Sequence, residues 1–362
     1  MTAQRRVTLV TLAADLGVSR ATVSNAYNRP DQLSAALRER ILARANELNF
    51  AGPDPMARGL RRGRVGAVGV LVDQGLSYAF SDPATVLFLD GLAVEVQQDG
   101  YGLLLHAGPG GPADPTFVRN AVVDAWVVQS LPDDHPAVTA AQAGRRPMVV
   151  LDQPALAGVP RVRIDDEAAA AQAVRHLLDL GHRRLGVLSM PLRSDGHQGW
   201  ADLRRQQEAT YLVMRRRLGG AAAEVAEIGA TWAEVPVVEC ASNDPDAGAL
   251  GAGELLRLPS RPSAIFAFSD QLALGVLRAA ADAGIEVPGQ LSVVGFDDSP
   301  PARAATPPLT TIVQPLRDRG RAVGTLVRAL LRGETAAEPA PYPFHLEVRA
   351  STGPPPEHQA TR

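Results

Sequence analysis

The sequence predicts an α/β protein: an N-terminal all-helical helix-turn-helix head, followed by a body of two parallel-sheet α/β units. Three observations carry this expectation. Apolar runs alternate with amphipathic helical stretches from Val65 onward, which argues for parallel strands covered by helices. The first 52 residues contain instead three short helical patterns with cap residues. The charge is divided as well, since residues 1–64 carry 11 Arg against 5 Asp plus Glu (net +6) and the remainder carries 25 against 34 (net −9). A basic head on an acidic body is the asymmetry of a nucleic-acid-binding module joined to something else. At 362 residues the chain also exceeds what one hydrophobic core usually organises.

In the head, Thr8 is placed to cap a helix over Leu9–Leu16, Ser19 one over Arg20–Tyr27, and Ser34 one from Ala35 to about Asn49. Only Gly17-Val18-Ser19 separates the first two, the tight connection of a helix-turn-helix. Leu12, Leu16, Val18, Val23, Ala26, Leu37, Ile41 and Leu48 fall at helical spacing and make one small core. With Val23 and Ala26 inward, Arg20, Ala21, Ser24 and Asn25 face outward. A guanidinium, a methyl, a hydroxyl and a carboxamide suit guanine edges, thymine methyls, phosphates and adenine edges. Ser19 and Thr22 stand at the helix start, where free backbone N–H groups favour phosphate. The competing reading is a small helical domain with an ordinary solvated face.

The next segment, GPDPMARGLRRGRVGAVGVLV, begins with a helix break at Pro53, a cap at Asp54 and Pro55 at a first helical position. A helix from Pro55 to about Arg61 is two turns long and contains Gly59, so it is too weak to stand alone in water. Arg58, Arg61, Arg62 and Arg64 seek phosphate, and Leu60 lies among them with no core to join. An apolar wedge flanked by arginines suits the minor groove; a basic flexible linker is the alternative.

In the body, AVGVLV, GLLLHA, AWVVQ, MVVL and VRI read as strands, with helices over Thr85–Gln98, Pro115–Val122 and Pro136–Ala143 between them. A second series has helices Ala168–Leu180, Ala201–Leu218, Pro245–Arg257 and Gln271–Ala283 among the strands LGVLS, VPVVE, AIFAF and LSVVGF. Two such units side by side leave a cleft outside the carboxyl ends of their strands.

The runs VTLVTLAADLGVSRATVSNAYN, LSAALRERILARANELNF and PDPMARGLRRGRVGAVGVLV resemble the head and hinge of the lac-repressor-type (LacI/GalR) transcriptional regulators. The resemblance extends over nearly the whole chain. It implies a head over 1–52, a hinge over 53–64 and a periplasmic-binding-protein-like body over 65–362. One subdomain would comprise about 65–164 and 314–332, the other about 165–313 and 333–350, with 351–362 as a tail. By position, Arg20 and Ala21 fall on the main base-reading pair, Asn25 on a further base contact, and Leu60 on the hinge leucine. Ala57 takes the small position where two hinges meet. The DNA-facing set is then Thr8, Ser19, Arg20, Ala21, Thr22, Ser24, Asn25, Asn28, Ala57, Arg58, Leu60 and Arg61.

The cleft is expected to collect Asp73, Gln129, Ser130, Asp152, Ser269, Asp270, Asp297 and Asp298 at strand ends, and the segment LSYAFSDPAT after the first strand, rich in aromatic and hydroxyl groups, is expected to line its mouth. The resemblance adds Gln314 in TTIVQP and points to Asp152, Ser269 and Asp297 as effector-facing. Helix capping is the other reading of Ser269 and Asp270, and of Asp152 and Asp297. One departure concerns an arginine the family places four residues before an aromatic, in a pattern such as RLxGY. The stretch QQEATY puts Gln207 there, removing a bidentate clamp. Carboxylates and amides suit a polyhydroxylated effector, of the sugar or nucleoside class.

No enzyme signature competes. The strand AVGVLVDQG leads into neither a Walker pattern nor GxGxxG, and HExxH, CxxC and GxSxG do not occur. His176 and His182 suit helix-end capping better than a metal, and no cofactor or metal site is expected. Cys240 is the only cysteine, set in an apolar strand, so no intrachain disulfide can form. The opening residues lack the apolar stretch of a secretory signal, and no apolar run is long enough to span a membrane. The expectation, on the family pattern, is a cytoplasmic homodimeric repressor of double-stranded operator DNA, switched by a small polar effector. A solute receptor with the same body fold is the closer alternative.

Overall fold

The computed structural model describes residues 7–50, 52, 64–107 and 114–356. It divides into two compact units, Met1–Gly66 and Ala67–Arg362. The hinge residues Ala57, Arg58, Leu60 and Arg61 lie outside the described residues.

The first unit is three helices around a small core. The Leu9–Leu16 helix starts at a capping box in which Thr8 and Thr11 satisfy each other's backbone N–H groups. It ends at Gly17, whose φ of +68° is the left-handed conformation that a residue with a Cβ resists. The Arg20–Asn28 helix is capped by Ser19 and the Ala35–Glu47 helix by Ser34. The third helix stops short of Asn49, which turns left-handed at φ 52° and lets Phe50 N–H bond back to the Ala45 carbonyl. Leu12, Ala13, Val23, Ala26, Ile41 and Ala45 are buried, with Leu16, Val18, Leu37, Leu48 and Phe50 packed around them. Three arginines hold this frame together. Arg38 donates to the Ala26 carbonyl, Arg40 to that of Leu16, and Arg44 to Asp15.

In the second unit, β1 (Ala67–Val72), β2 (Gly102–Ala107), β3 (Ala125–Gln129), β4 (Met148–Leu151) and β5 (Arg161–Val162) form a parallel sheet in the order β2-β1-β3-β4-β5. A second sheet contains β6 (Leu185–Ser189), β7 (Gly199–Trp200), β8 (Val237–Glu239), β9 (Ala264–Ala267), β10 (Ser292–Asp297), β11 (Thr310–Val313) and β12 (His345–Glu347). Its order is β12-β11-β10-β9-β6-β8-β7, with only the edge strands β12 and β7 antiparallel. The chain passes from the first sheet to the second after β5. It leaves β11 for the Leu316–Leu331 helix, which packs on the Pro83–Val96 helix of the first sheet, and returns at β12. Those two helices cross at glycines. A methyl built on Gly91 would lie 2.0 Å from the Arg317 carbonyl oxygen, and one on Gly320 2.2 Å from that of Phe88.

The expected α/β fold class is observed, with one local correction. The helix read over Ala201–Leu218 is broken into a short helix Leu203–Gln207 and a long helix Leu212–Glu227. The break occurs because Thr210 N–H bonds to the Leu192 carbonyl and Tyr211 is extended (φ −87°, ψ 108°), taking both out of helical geometry. The Pro83–Val96 helix starts two residues earlier than read because Asp82 caps it, with Pro83 at a first-turn position.

Candidate nucleic-acid interface and ligand cleft

In the head, Val23 and Ala26 are fully buried and Arg20 and Ala21 fully on the outer side of the same helix. Ser19 Oγ accepts from Thr22 N–H at 3.0 Å and lies 2.8 Å from Thr22 Oγ1, so these two hydroxyls first serve the cap. Asn28 Nδ2 donates to the Ser24 carbonyl at 2.9 Å and lies 3.2 Å from Ser24 Oγ, tying those two side chains together. Asn25 Nδ2 donates to Gln32 Oε1 at 3.2 Å. Thr8 is exposed at the cap of the first helix. The outer face therefore offers a guanidinium and a methyl at once, and a carboxamide after exchange of one exposed hydrogen bond. Such a set reads base edges.

In the body, a cavity of about 140 Å³ lies where strands of both sheets end. Asp73 and Gln129 follow or end β1 and β3, Ser130 and Asp152 stand just past β3 and β4, Asp297 ends β10 and Gln314 follows β11; all six line it. The backbone turns sharply there, with positive φ at Ser130 (53°), Asp152 (63°) and Asp297 (120°). Residues with a Cβ adopt such angles at a cost, and they cluster at functional sites. Gln129 Nε2 donates to Thr85 Oγ1 at 2.9 Å, and Ser130 Oγ to Asp152 Oδ2 at 3.3 Å. Gln314 Nε2 donates to Asp297 Oδ1 at 2.5 Å, and the buried Arg319 bridges Asp152 and Gln314.

Burial sets the protonation of this cleft. It pushes Asp73 up to about 6, opposed in part by the hydrogen bond from Tyr211. The same desolvation raises Asp82, and raises Asp297 well above the carboxylate range with help from nearby Asp270.

Four expected residues are elsewhere. Gln207 is exposed on the Leu203–Gln207 helix and does not line the cavity, because the chain breaks and turns before the long helix begins. Ser269 is buried and does not line it either: its hydroxyl caps the Asp270–Asp282 helix and donates to Asn243 Oδ1 at 2.5 Å. Asp270 accepts from Thr311 Oγ1 and Ser299 N–H, and Asp298 pairs with Arg303 and Arg349, so both are structural.

The segment LSYAFSDPAT contributes Tyr78, Asp82 and Thr85 to the lining, whereas sequence reading missed Tyr211, Asn243 and Arg217, which also line the cavity. Arg217 was legible. The run Arg217-Leu218-Gly219-Gly220-Ala221 carries the sought arginine–leucine–x–glycine pattern, with Ala221 in place of the aromatic. Gly220 lets its helix approach the Asp166–Asp179 helix, since a methyl there would meet the Glu167 carbonyl oxygen at 2.0 Å. The Arg217 guanidinium pairs with buried Asp166 at 2.9 Å, donates to the Phe268 carbonyl at 2.5 Å and lies 3.5 Å from the Phe296 ring centroid. It supplies the cleft's own cation.

The architecture and the head match known regulators along their length. A helix-turn-helix transcriptional regulator of Mycobacterium tuberculosis is 42% identical over 358 residues, covering 94% of this chain and 99% of that one. The chain belongs to the LacI/GalR family of transcriptional regulators. The periplasmic binding protein-like domain family matches residues 174–352 of this family member. The lac repressor dimer bound to operator and the anti-inducer ONPF is 26% identical to it with a TM-score of 0.74, covering 96% of this chain and 100% of that one. A complex of the regulator CelR with cellobiose is 28% identical with a TM-score of 0.68, over 96% and 100%. This LacI/GalR protein is thus a DNA-binding transcriptional regulator and not an enzyme. Among its described residues no helix is long and apolar enough to cross a membrane, and no cluster of three or more His, Cys, Asp or Glu could hold a metal.

Proposed function

We propose that this regulator is a homodimeric repressor of a pseudo-palindromic operator, switched by a neutral, polyhydroxylated ligand of single-ring size in the cleft. The observation that carries the ligand class is the lining: among the described residues, Asp73, Asp82, Asp152 and Asp297 surround one small cavity in which Arg217 is the only lining cation. A carboxylate accepts from two hydroxyls, whereas an anionic ligand would meet four carboxyl groups. The volume of about 140 Å³ is below the roughly 300 Å³ at which pockets for drug-sized ligands begin, which favours one sugar ring over a nucleoside. The lac repressor and CelR complexes, with their small-molecule ligands, support the same reading.

On the DNA side, Arg20, Ala21 and Asn25 read bases; Thr8, Ser19, Thr22, Ser24 and Asn28 support backbone contact; and Ala57, Arg58, Leu60 and Arg61 carry the hinge role. Dimerisation is supported by exposed apolar side chains on the body: Leu76, Phe80 and Val86 at 47%, 69% and 41%, and Leu250 at 65%. The ligand acts through its different affinities for the two states of the dimer. Thermal-shift measurement of the full chain against pentoses, hexoses, cyclitols, nucleosides and amino acids, paired with in vitro selection of bound DNA, tests this proposal. Stabilisation by nucleosides or amino acids alone would overturn the ligand class, and recovery of no palindromic site would overturn the operator.

A further inference from the structure

Arg319 does not line the cleft, yet the side chains of its floor converge on it. It is fully buried in the first turn of the Leu316–Leu331 helix. Its Nη2 donates to Asp152 Oδ1 and its Nη1 to Gln314 Oε1. Gln314 Nε2 then donates to Asp297 Oδ1 at 2.5 Å, and Ser130 Oγ donates to Asp152 Oδ2 at 3.3 Å. The chain Ser130, Asp152, Arg319, Gln314, Asp297 runs from the end of β3 in one sheet to the end of β10 in the other.

A guanidinium donates hydrogen bonds and accepts none. Gln314 must therefore turn its carbonyl oxygen to Arg319 and its NH2 to Asp297. Without the cation, the amide could present either end to Asp297, because a carboxamide is nearly symmetric in shape. Arg319 thus sets the direction of each hydrogen bond along the floor and offsets the charge of Asp152 in a site away from water.

We infer that Arg319 is a positioning residue that fixes the polarity of the cleft floor, so that the ligand is read through two hydroxyls, one at Asp152 and one at Asp297. The inference rests on the polyol reading above and deepens it. Asp297 Oδ2 has no hydrogen-bond partner among the described residues and is left for ligand. A hydroxyl suits that oxygen whether Asp297 carries a proton or not, because it both donates and accepts. An ammonium group could only donate and a carbonyl could only accept, so each would fail in one of the two states.

The test uses the full chain with selectively ¹⁵N-labelled glutamine, Gln314 being assigned through Gln314→Glu. In the unsubstituted protein the Gln314 NH2 signals are expected to exchange slowly with solvent. Arg319→Met should speed that exchange at least about tenfold, weaken the best-binding sugar by about tenfold and erase the preference among diastereomeric hexoses, the scale of one misdirected hydrogen bond. Arg319→Lys keeps the charge but cannot bridge two acceptors in one plane. It should restore fold and affinity in part while leaving the stereochemical preference weakened, and it decides the matter if Arg319→Met does not fold. Unchanged Gln314 exchange in the folded variants, or an unchanged hexose ranking, would overturn the role of Arg319. If no sugar stabilises the unsubstituted protein, the polyol reading fails while Gln314 exchange still decides whether Arg319 orients the amide.

Discussion

Tyr211 and Asp73 meet across the cleft, the phenol donating to Asp73 Oδ2 at 2.5 Å. Asp73 follows β1 of the first sheet, whereas Tyr211 belongs to the segment between β7 of the second sheet and the Leu212–Glu227 helix, where Ser194 Oγ lies 3.0 Å from the same phenol. A second tyrosine makes the reverse crossing, with Tyr78 on the first side accepting from Asn243 Nδ2 on the other at 2.8 Å. Asp133 adds two more bridges, its N–H to the Thr210 carbonyl and its carboxylate to Arg215. The two halves of the body are therefore held together by polar contacts around the cavity, which ligand can strengthen or replace.

The Asp73 contact carries a pH signature. Burial lifts its carboxyl to about 6, so the folded protein holds that proton more tightly than the unfolded chain. The sign follows by linkage: this group's contribution to stability is greatest below the unfolded value of 3.8 and is lost as pH rises through about 6. Asp73→Asn is expected to raise stability by about 1 kcal/mol near pH 7.5, discounted for the partial exposure of the side chain, and to match the parent near pH 4. Calorimetric midpoints of both proteins at the two pH values check this; a gap of constant size would mean that the carboxyl is not desolvated.

Arg217 and Gln207 separate the two places an arginine clamp could stand. Arg217→Met should abolish ligand-induced stabilisation, and it should destabilise the body by about 3–5 kcal/mol because it strands buried Asp166. Gln207→Ala, at an exposed position, should change stability by less than about 0.5 kcal/mol and leave ligand response intact. Thermal shifts with and without sugar report both, and a ligand defect in Gln207→Ala would return that residue to the site.

Ser269→Ala should act on the fold. It removes the cap of the Asp270–Asp282 helix and leaves Asn243 Oδ1 without its donor, for a loss of about 1–2 kcal/mol. Ligand affinity should shift only as far as Asn243 does. Chemical denaturation compared with direct titration distinguishes the two, and a large loss of affinity at unchanged stability would make Ser269 a ligand contact.

Arg20→Ala should relax preference at one operator position at a cost of about 1–3 kcal/mol, measured by selection and competition binding with the full chain. Arg38→Ala should instead lower head stability, because that guanidinium holds the Ala26 carbonyl. Unchanged base preference in Arg20→Ala would remove it as a reader.

The parts legible in the sequence are those set by local chemistry. Thr8, Ser19 and Ser34 announce their helices because a hydroxyl beside an apolar periodicity is a cap, and the β-branched runs announce parallel strands by length and composition. Asp73, Gln129, Ser130, Asp152, Asp297 and Gln314 could be placed at the cleft because they stand at strand ends. Asn243 and Arg319 could not, since their partners lie 26 and 167 residues away in Ser269 and Asp152, and only the fold brings them together. Gln207 was misplaced for a different reason: an unbroken helix was read through Glu208–Tyr211, where long-range hydrogen bonds overrule helical propensity. The head's charge was overread in the same way, as Arg38, Arg40 and Arg44 serve the frame.

At the crossing of the Pro83–Val96 and Leu316–Leu331 helices, main chain rests on main chain at Gly91 and Gly320. Joints made through long side chains have play, because rotamers can absorb a small displacement. This one has none. The turn that bears Arg319 is keyed to the helix it grips, with no side chain at the crossing points to absorb a displacement. Val86 lies on that helix and is 41% exposed, so the joint links the cleft floor to a helix that reaches the surface.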